Sequence, residues 1–274
     1  MISLRKAMEI YLKMRRSLGY KLRDHGYALD SFVSFMEKEK ASYITTVLAL
    51  RWAEQPADGN PARWAKLLSF VRNFAHYQSA TDPRTEIPPI GLLPHSYQRK
   101  PPYIYTDKEI YRLMEAAKCL PSSTTLGRWT YPTIFGLLAV TGLRISEAVN
   151  LQCNDVDLDA GLLTIRLTKF RKSRLVPIHP STCEALKRYA RQRDRIHPHG
   201  FAFFVSEKGT PMTTYRIQRI FVKLSHQIGL RKPSDRFGPR LHDFRHRFAV
   251  KTIINCYRSG VDVGQRLPVL STFL

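Results

Sequence analysis

The feature that most restricts this chain is a run of prolines after its first third. Six of them fall between Pro83 and Pro102 (Pro83, Pro88, Pro89, Pro94, Pro101 and Pro102), with Gly91 among them. Proline lacks an amide donor and its ring clashes with the preceding turn, so no long helix crosses this stretch. It reads as an extended linker over residues 83–105. The 274-residue chain is thereby divided into two parts, 1–82 and 106–274, each long enough to bury a core of its own.

The first part reads as four helices. Ser3 caps a helix with apolar positions at Leu4, Met8, Tyr11 and Leu12, and Gly19 stops it. Leu29, Phe32, Val33 and Met36 recur at helical spacing in the second. A third begins near Thr45. The fourth opens with Asn60 as cap and Pro61 at the first helical position, then carries Trp64, Leu67, Leu68, Val71 and Phe74. Short connections between short helices predict one small bundle.

The second part has a mixed texture. Thr106 and Glu109 form a capping box ahead of a helix over 107–118, and helical patterns follow at 131–141 and after Gly142. Asp157 to Gly161 is a turn cluster. Leu162 to Leu167 and Arg174 to Ile178 are β-rich, and the basic run from Lys169 to Ser173 between them predicts a hairpin with a charged tip. Ser181 and Glu184 suggest a second capping box, opening a helix to about Arg195. Phe201 to Val205 reads as a short strand, and helices return at 213–228 and 242–258, the last ended by Gly260. The fold class expected is mainly α with a small β-hairpin or sheet (α+β).

Charge narrows the partner. There are 44 Lys and Arg against 22 Asp and Glu, a net +22, which calls for a polyanion. Residues 161–274 alone carry 23 basic and 6 acidic residues, whereas 101–160 carry 5 and 7. A phosphate backbone balances such a concentration by releasing counterions, so a nucleic acid is the expected partner. No apolar run approaches the roughly 18 residues of a membrane helix. The N-terminus alternates charged and apolar residues without a signal-peptide core. The four cysteines, Cys119, Cys153, Cys183 and Cys256, form no C-x-x-C. A cytoplasmic, nucleoid-associated protein without a membrane partner is the expectation.

Three segments carry chemistry. In Thr141-Gly-Leu-Arg-Ile-Ser-Glu-Ala148, Arg144 lies beside Leu137, Leu138 and Val140 and needs an anionic partner, because an unpaired buried charge is expensive. Glu147, three residues on, fits; so does a substrate phosphate, which a guanidinium grips with two parallel bonds. The tip cations Lys169, Arg171, Lys172 and Arg174 read either as a solvated loop or as a ribbon reaching a DNA groove. In Leu241-His-Asp-Phe-Arg-His-Arg-Phe-Ala249, His242 and Arg245 share a helical face near an N-terminus, where anions are favoured. His242 and His246 also have the i, i+4 spacing of a zinc pair, but the metalloprotease Glu and a local third ligand are missing, so no metal is expected.

Taken in this order, with about a hundred residues between Arg144 and Arg245, the segments resemble the tyrosine recombinase (phage integrase) family. Arg99-Lys-Pro-Pro-Tyr-Ile-Tyr-Thr-Asp107 is similar to the approach to that family's catalytic domain, and 1–82 to its helical core-binding, DNA-clamping domain. The final VDVGQRLPVLSTFL is similar to integrases of mobile elements. The resemblance implies site-specific recombination or integration through a 3′-phosphotyrosyl intermediate, with no metal or other cofactor. Arg144 and Arg245 would hold the non-bridging oxygens of the scissile phosphate. Lys169, or Lys172 if the alignment slips, would be the acid for the leaving 5′ oxygen, and His242 with Arg245 the family's His-x-x-Arg pair. The partner would be double-stranded DNA, contacted by Arg171, Lys172 and Arg174. Swapping of C-terminal tails in the family allows for a homo-oligomer on DNA.

One part of the pattern is not met. The family's Leu-Gly-His segment and nucleophilic tyrosine would follow Phe273-Leu274, and Tyr257, only twelve residues past Arg245, is a poor substitute. The expectation is a C-terminally truncated catalytic domain over 106–274 that binds DNA without cleaving it. The rivals are a non-catalytic protein occupying recombination sites and a helical transcription regulator. A reading frame that continues past Leu274 into Gly-His and a tyrosine would favour the enzyme.

Overall fold

A computed structural model describes residues 2–56, 60–94, 101–121, 125–166, 173–198, 200–235 and 238–274. The chain forms two compact units, Met1–Lys100 and Pro101–Leu274.

The first unit is a bundle of α1 (Leu4–Ser17), α2 (Arg23–Lys38), α3 (Thr46–Ala53) and α4 (Pro61–Gln78). Ser3, Thr45 and Asn60 cap α1, α3 and α4 by accepting an amide bond from the first turn, and Pro61 needs no partner at the first position. Leu29, Phe32, Val33 and Met36 of α2 are sealed from solvent in a core shared with Trp52, Val71 and Phe74.

The first part of the proline-rich stretch is strapped to this bundle. The Glu86 carboxylate accepts from the Thr46 amide at 2.8 Å, supplying an acceptor at the start of α3. The Arg72 guanidinium of α4 donates to the carbonyls of Pro88 and Pro89 at 2.6 and 2.8 Å, and Leu93 is buried in the bundle core. Proline loses its donor but keeps its carbonyl, so a segment unable to join a helix or sheet is still held through its acceptors.

The second unit contains α5 (Asp107–Lys118), α6 (Gly127–Thr141), α7 (Ile145–Val149), a 3₁₀ turn at Cys153–Asp155, β1 (Val156–Asp157), β2 (Leu162–Ile165), β3 (Arg174–Pro177), α8 (Pro180–Ile196), α9 (Thr214–Gln227), α10 (Asp243–Arg258) and α11 (Val263–Phe273). The strands form one antiparallel sheet in the order β1-β2-β3, with Leu163 opposite Val176 and Ile165 opposite Arg174. Leu113, Phe135, Leu163, Val176, Tyr189, Phe204, Phe221 and Phe244 belong to one core. The fold is mostly helical with this small sheet, as the sequence predicts.

Several boundaries differ. α6 begins four residues before the expected 131 and runs through Pro132, forgoing one donor. α8 is capped by His179, whose Nδ1 accepts from the Ser181 amide at 3.2 Å, and not by Ser181. Pro180, with φ preset, takes the first helical position and moves the start forward. Phe201–Val205 is no strand; it makes only the isolated bridges Gln152 to Ala202 and Val205 to Pro211. α11 lies beyond the last helix read from the sequence and runs through Pro268. It is capped by Asp262 and packs lightly on α10, with Phe273 stacked on Phe248 at 5.6 Å. No helix among the described residues is long and apolar enough to cross a membrane.

Arg72→Ala removes two bonds to the strap. Amide exchange at residues 86–93 is expected to quicken by the equivalent of about 2 kcal/mol of local opening. The α1–α4 core amides should keep their protection. Unchanged exchange at 86–93 would show that Leu93 and Glu86 hold the strap alone.

Candidate active site

The site is built on the turn at Gly142. α6 ends there because Gly142 adopts φ 62°, in the left-handed region: its amide still donates to the Leu138 carbonyl at 3.0 Å, while its carbonyl accepts from outside the helix. There is no room for a side chain: an added Cβ would lie 2.7 Å from Phe248 Cδ1 and 3.0 Å from Leu274 Cδ2. The chain passes from this turn into α7, with Arg144 at its N-cap.

Arg144 is tied to Glu147 twice. Its amide donates to Glu147 Oε2 at 2.9 Å and its NH1 to Oε1 at 2.8 Å. Glu147 is buried and holds a second arginine: Arg174 of β3 donates NH2 to Oε2 at 2.8 Å and NH1 to Oε1 at 3.2 Å. Each carboxylate oxygen thus accepts two bonds. Burial pushes the Glu147 carboxyl up, but the bonds from Arg174 and Arg144 outweigh it and hold the group below the ordinary carboxylate value.

Arg245 arrives from the first turn of α10. Its NH1 donates to the Gly142 carbonyl at 2.8 Å, a contact across 103 residues of sequence. It is buried, and that burial, with repulsion from Arg144 and Arg174 against attraction from Glu147, pushes its pKa down to about 10. It stays charged at neutral pH. His242 lies one turn before Arg245 on the same face, with its ring edge-on to His246 at 5.0 Å. Partial desolvation, then the neighbours His246 and Arg245, lower its pKa against the pull of Asp243, so it is neutral at neutral pH.

α10 is itself anchored. Arg247, buried, donates Nε to the Tyr105 carbonyl at 2.8 Å and pairs with Asp107, which Lys251 also holds at 3.0 Å. Tyr105 stacks on Phe244 at 4.7 Å and donates its hydroxyl to the Arg240 carbonyl at 3.0 Å. The sequence reading missed Arg247. Its position two residues after Arg245, on the opposite side of the helix, was the available signal that it faces the core.

Of the residues singled out from sequence, Arg144 and Arg245 are brought together at the Gly142 turn, and His242 is close enough to Arg245 to feel its charge. Lys169, Arg171 and Lys172 lie outside the described residues. Arg174, expected with the outward-facing tip cations, is turned inward with only 15% of its side chain exposed. The reason is strand alternation: Arg174 shares the inner face of β3 with fully buried Val176. The two partners considered for Arg144 do not exclude each other, since Glu147 takes one guanidinium nitrogen and the side chain remains 35% exposed. Among the described residues no group of three His, Cys, Asp or Glu is placed to hold a metal. Tyr257 is 70% exposed on α10, twelve residues and so about 18 Å along the axis from Arg245.

The described residues make a helical bundle and a mainly helical unit with a three-stranded antiparallel sheet. The fold is similar to the Tn1549 transposon integrase, solved in complex with transposon right end DNA (TM-score 0.65, 14% identity, 93% of this chain and 88% of that one). It is also similar to a lambda integrase tetramer bound to a Holliday junction (TM-score 0.63, 19% identity, 91% and 73%). In sequence, the chain is 48% identical to a putative integrase/recombinase, y4rB, of Sinorhizobium fredii, over 100% of this chain and 89% of that protein. The phage integrase family model matches residues 104–264. The chain belongs to that family, the tyrosine recombinases, whose class of activity is site-specific DNA recombination.

Glu147→Gln leaves Arg144, Arg174 and Arg245 without their shared anion, and is expected to destabilise the second unit by about 3 kcal/mol at pH 7. A carboxyl depressed in the folded state stabilises above its ordinary value, here 4.5, and that stabilisation is lost as pH falls through the lower folded value. The gap between the two proteins in urea unfolding should therefore be full at pH 7 and close below pH 4.5. A gap independent of pH would mean that Glu147 acts through packing.

Proposed function

We propose that this chain binds duplex DNA and grips one phosphodiester between Arg144 and Arg245 for strand cleavage and rejoining. The observation that carries this reading is the bond from Arg245 to the Gly142 carbonyl. It brings a guanidinium from α10 to the turn that presents Arg144, and it uses a neutral acceptor, so the positive charge is not cancelled. Two such groups neutralise charge that builds on the non-bridging oxygens in a pentavalent transition state.

The remaining roles follow from chemistry. A tyrosine oxygen bonds to phosphorus, and neutral His242 is suited to receive its proton. The 5′ oxygen leaves with a proton from Lys169, or from Lys172 in a shifted register, and a 3′-phosphotyrosyl bond is formed. Attack by a 5′ hydroxyl reverses these steps, and the covalent bond retains the phosphodiester energy, so no nucleotide is consumed. Arg171 and Lys172 contact neighbouring phosphates. Binding to chromosomal DNA would place the protein with the nucleoid, and the tetrameric lambda integrase supports a homo-oligomer on DNA.

Residues 1–274 on their own bind without cleaving, on this reading. Tyr257 is three turns of helix away from Arg245, too far to reach the same phosphorus. Leu274, by contrast, lies against Gly142, so a tyrosine-bearing segment joined after it starts beside the arginines.

Gel shifts on duplex DNA should weaken roughly a thousandfold between 50 and 200 mM salt, as several phosphates are neutralised together. A nicked suicide duplex should give a shifted complex and no covalent band. Joining a C-terminal tyrosine segment should produce the band, and Arg144→Ala or Arg245→Ala should then suppress it. A covalent adduct from residues 1–274, lost on Tyr257→Phe, would overturn the placement of the nucleophile. Salt-insensitive binding would remove DNA as the partner.

A further inference from the structure

We propose that Arg174 is a positioning residue, which locks the Glu147 carboxylate so that Arg144 presents its unused guanidinium N–H groups to a phosphate oxygen. This rests on the phosphate grip by Arg144 and Arg245 described above, and it takes Arg174 out of the set of DNA-contacting tip cations.

Two arginines share one carboxylate but differ in depth. The Arg144 side chain is 35% exposed and that of Arg174 15%, while Glu147 between them is 6% exposed. The inner arginine cannot reach a ligand without abandoning a buried anion, which is among the costlier changes a site can undergo. The outer one can. Arg144 spends one guanidinium nitrogen on Glu147, and its Nε and NH2 have no partner among the described residues.

The pattern of bonds shows what the inner arginine does. Arg174 meets both carboxylate oxygens as a planar fork, at 2.8 and 3.2 Å. Arg144 meets the same two oxygens through its amide and its NH1. Rotation of the carboxylate would break bonds on both sides, so the fork fixes the plane on which Arg144 NH1 rests. Arg174 Nε is buried with no partner among the described residues. A buried donor left unpaired costs free energy. The arrangement thus leaves Arg174 incompletely satisfied while completing the bonding of Glu147. A second consequence is electrostatic: Arg174 adds to the repulsion felt by Arg245. The inner cation therefore adds to the positive field at Arg245 from a less exposed position than Arg144.

The contrasting account is that Arg174 only neutralises Glu147, in which case a lysine does as well. Lysine supplies the charge as a point, without the fork. The test titrates residues 1–274 with inorganic phosphate while following the Nε–Hε resonances of Arg144, Arg174 and Arg245. In the unsubstituted chain, those of Arg144 and Arg245 should move together with one affinity while that of Arg174 stays in place. In Arg174→Lys, which keeps a cation on Glu147, phosphate affinity at Arg144 should fall about tenfold, the worth of one charge-assisted bond made in poorer geometry. Arg245, held by the Gly142 carbonyl, should still respond. A second variant, Arg174→Met with Glu147→Gln, removes the buried Arg174–Glu147 pair together and should show at least the same loss at Arg144, which then also lacks its anchor. Undiminished affinity at Arg144 in either variant overturns the positioning role and leaves the phosphate grip standing. If phosphate moves neither Arg144 nor Arg245 in the unsubstituted chain, the grip itself fails, and this inference with it.

Discussion

One buried carboxylate, Glu147, organises the cationic site of the second unit. Glu147 accepts four hydrogen bonds, two at each oxygen, from Arg144 and Arg174, and Arg245 is close enough to feel all three groups. Three guanidiniums against one carboxylate leave an excess of two positive charges in a partly dry setting. Folding tolerates this because Glu147 holds two of the three and a carbonyl dipole holds the third. On the proposed function, a phosphodiester would bring one negative charge and its pentavalent state two. The three arginines with Glu147 would then be closest to neutrality when the phosphorus is five-coordinate, which is the difference between binding a substrate and accelerating its reaction.

The scaffold brings these groups together through contacts that are distant in sequence. α6 delivers Arg144 by stopping at Gly142, β3 delivers Arg174 by its alternation, and α10 delivers His242 and Arg245. The last of these depends on the segment just before α5. Tyr105 packs flat on Phe244, Arg247 bonds the Tyr105 carbonyl, and Asp107 is shared by Arg247 and Lys251. The same helix that carries one buried arginine to the Gly142 turn as a candidate ligand group uses another, two residues later, as a structural bolt.

Much of this was legible in the sequence where the signal is local. Ser3, Thr45, Asn60 with Pro61, and Thr106 with Glu109 act on amides within their own first turn, so their caps could be read directly. The Arg144 and His242–Arg245 segments stood out because their order and spacing resemble a known family. Features set by tertiary neighbours were not legible. Ser181 followed by Glu184 has the form of a capping box, yet Pro180 moved the cap to His179. Among the described residues the prolines from Pro83 to Pro94 lie outside helix and strand, but the carbonyls of Pro88 and Pro89 meet Arg72, which no linear pattern announces. Arg174 sat in a basic run and was grouped with it. Only its pairing opposite Ile165, in register with buried Val176, shows that it points inward.

The contact at Gly142 has one more implication. Arg245 is held by a main-chain oxygen, and no amino-acid replacement deletes a main-chain oxygen. Nor does that oxygen gain or lose a proton across any pH at which the protein is folded. This half of the cation pair is therefore insulated from the changes that most often alter an ion pair, a mutated partner or a titrated one. Its exposure is to backbone shape alone: a residue that cannot hold φ 62°, or a side chain that pushes Phe248 aside, would swing the acceptor away while leaving every charge in place.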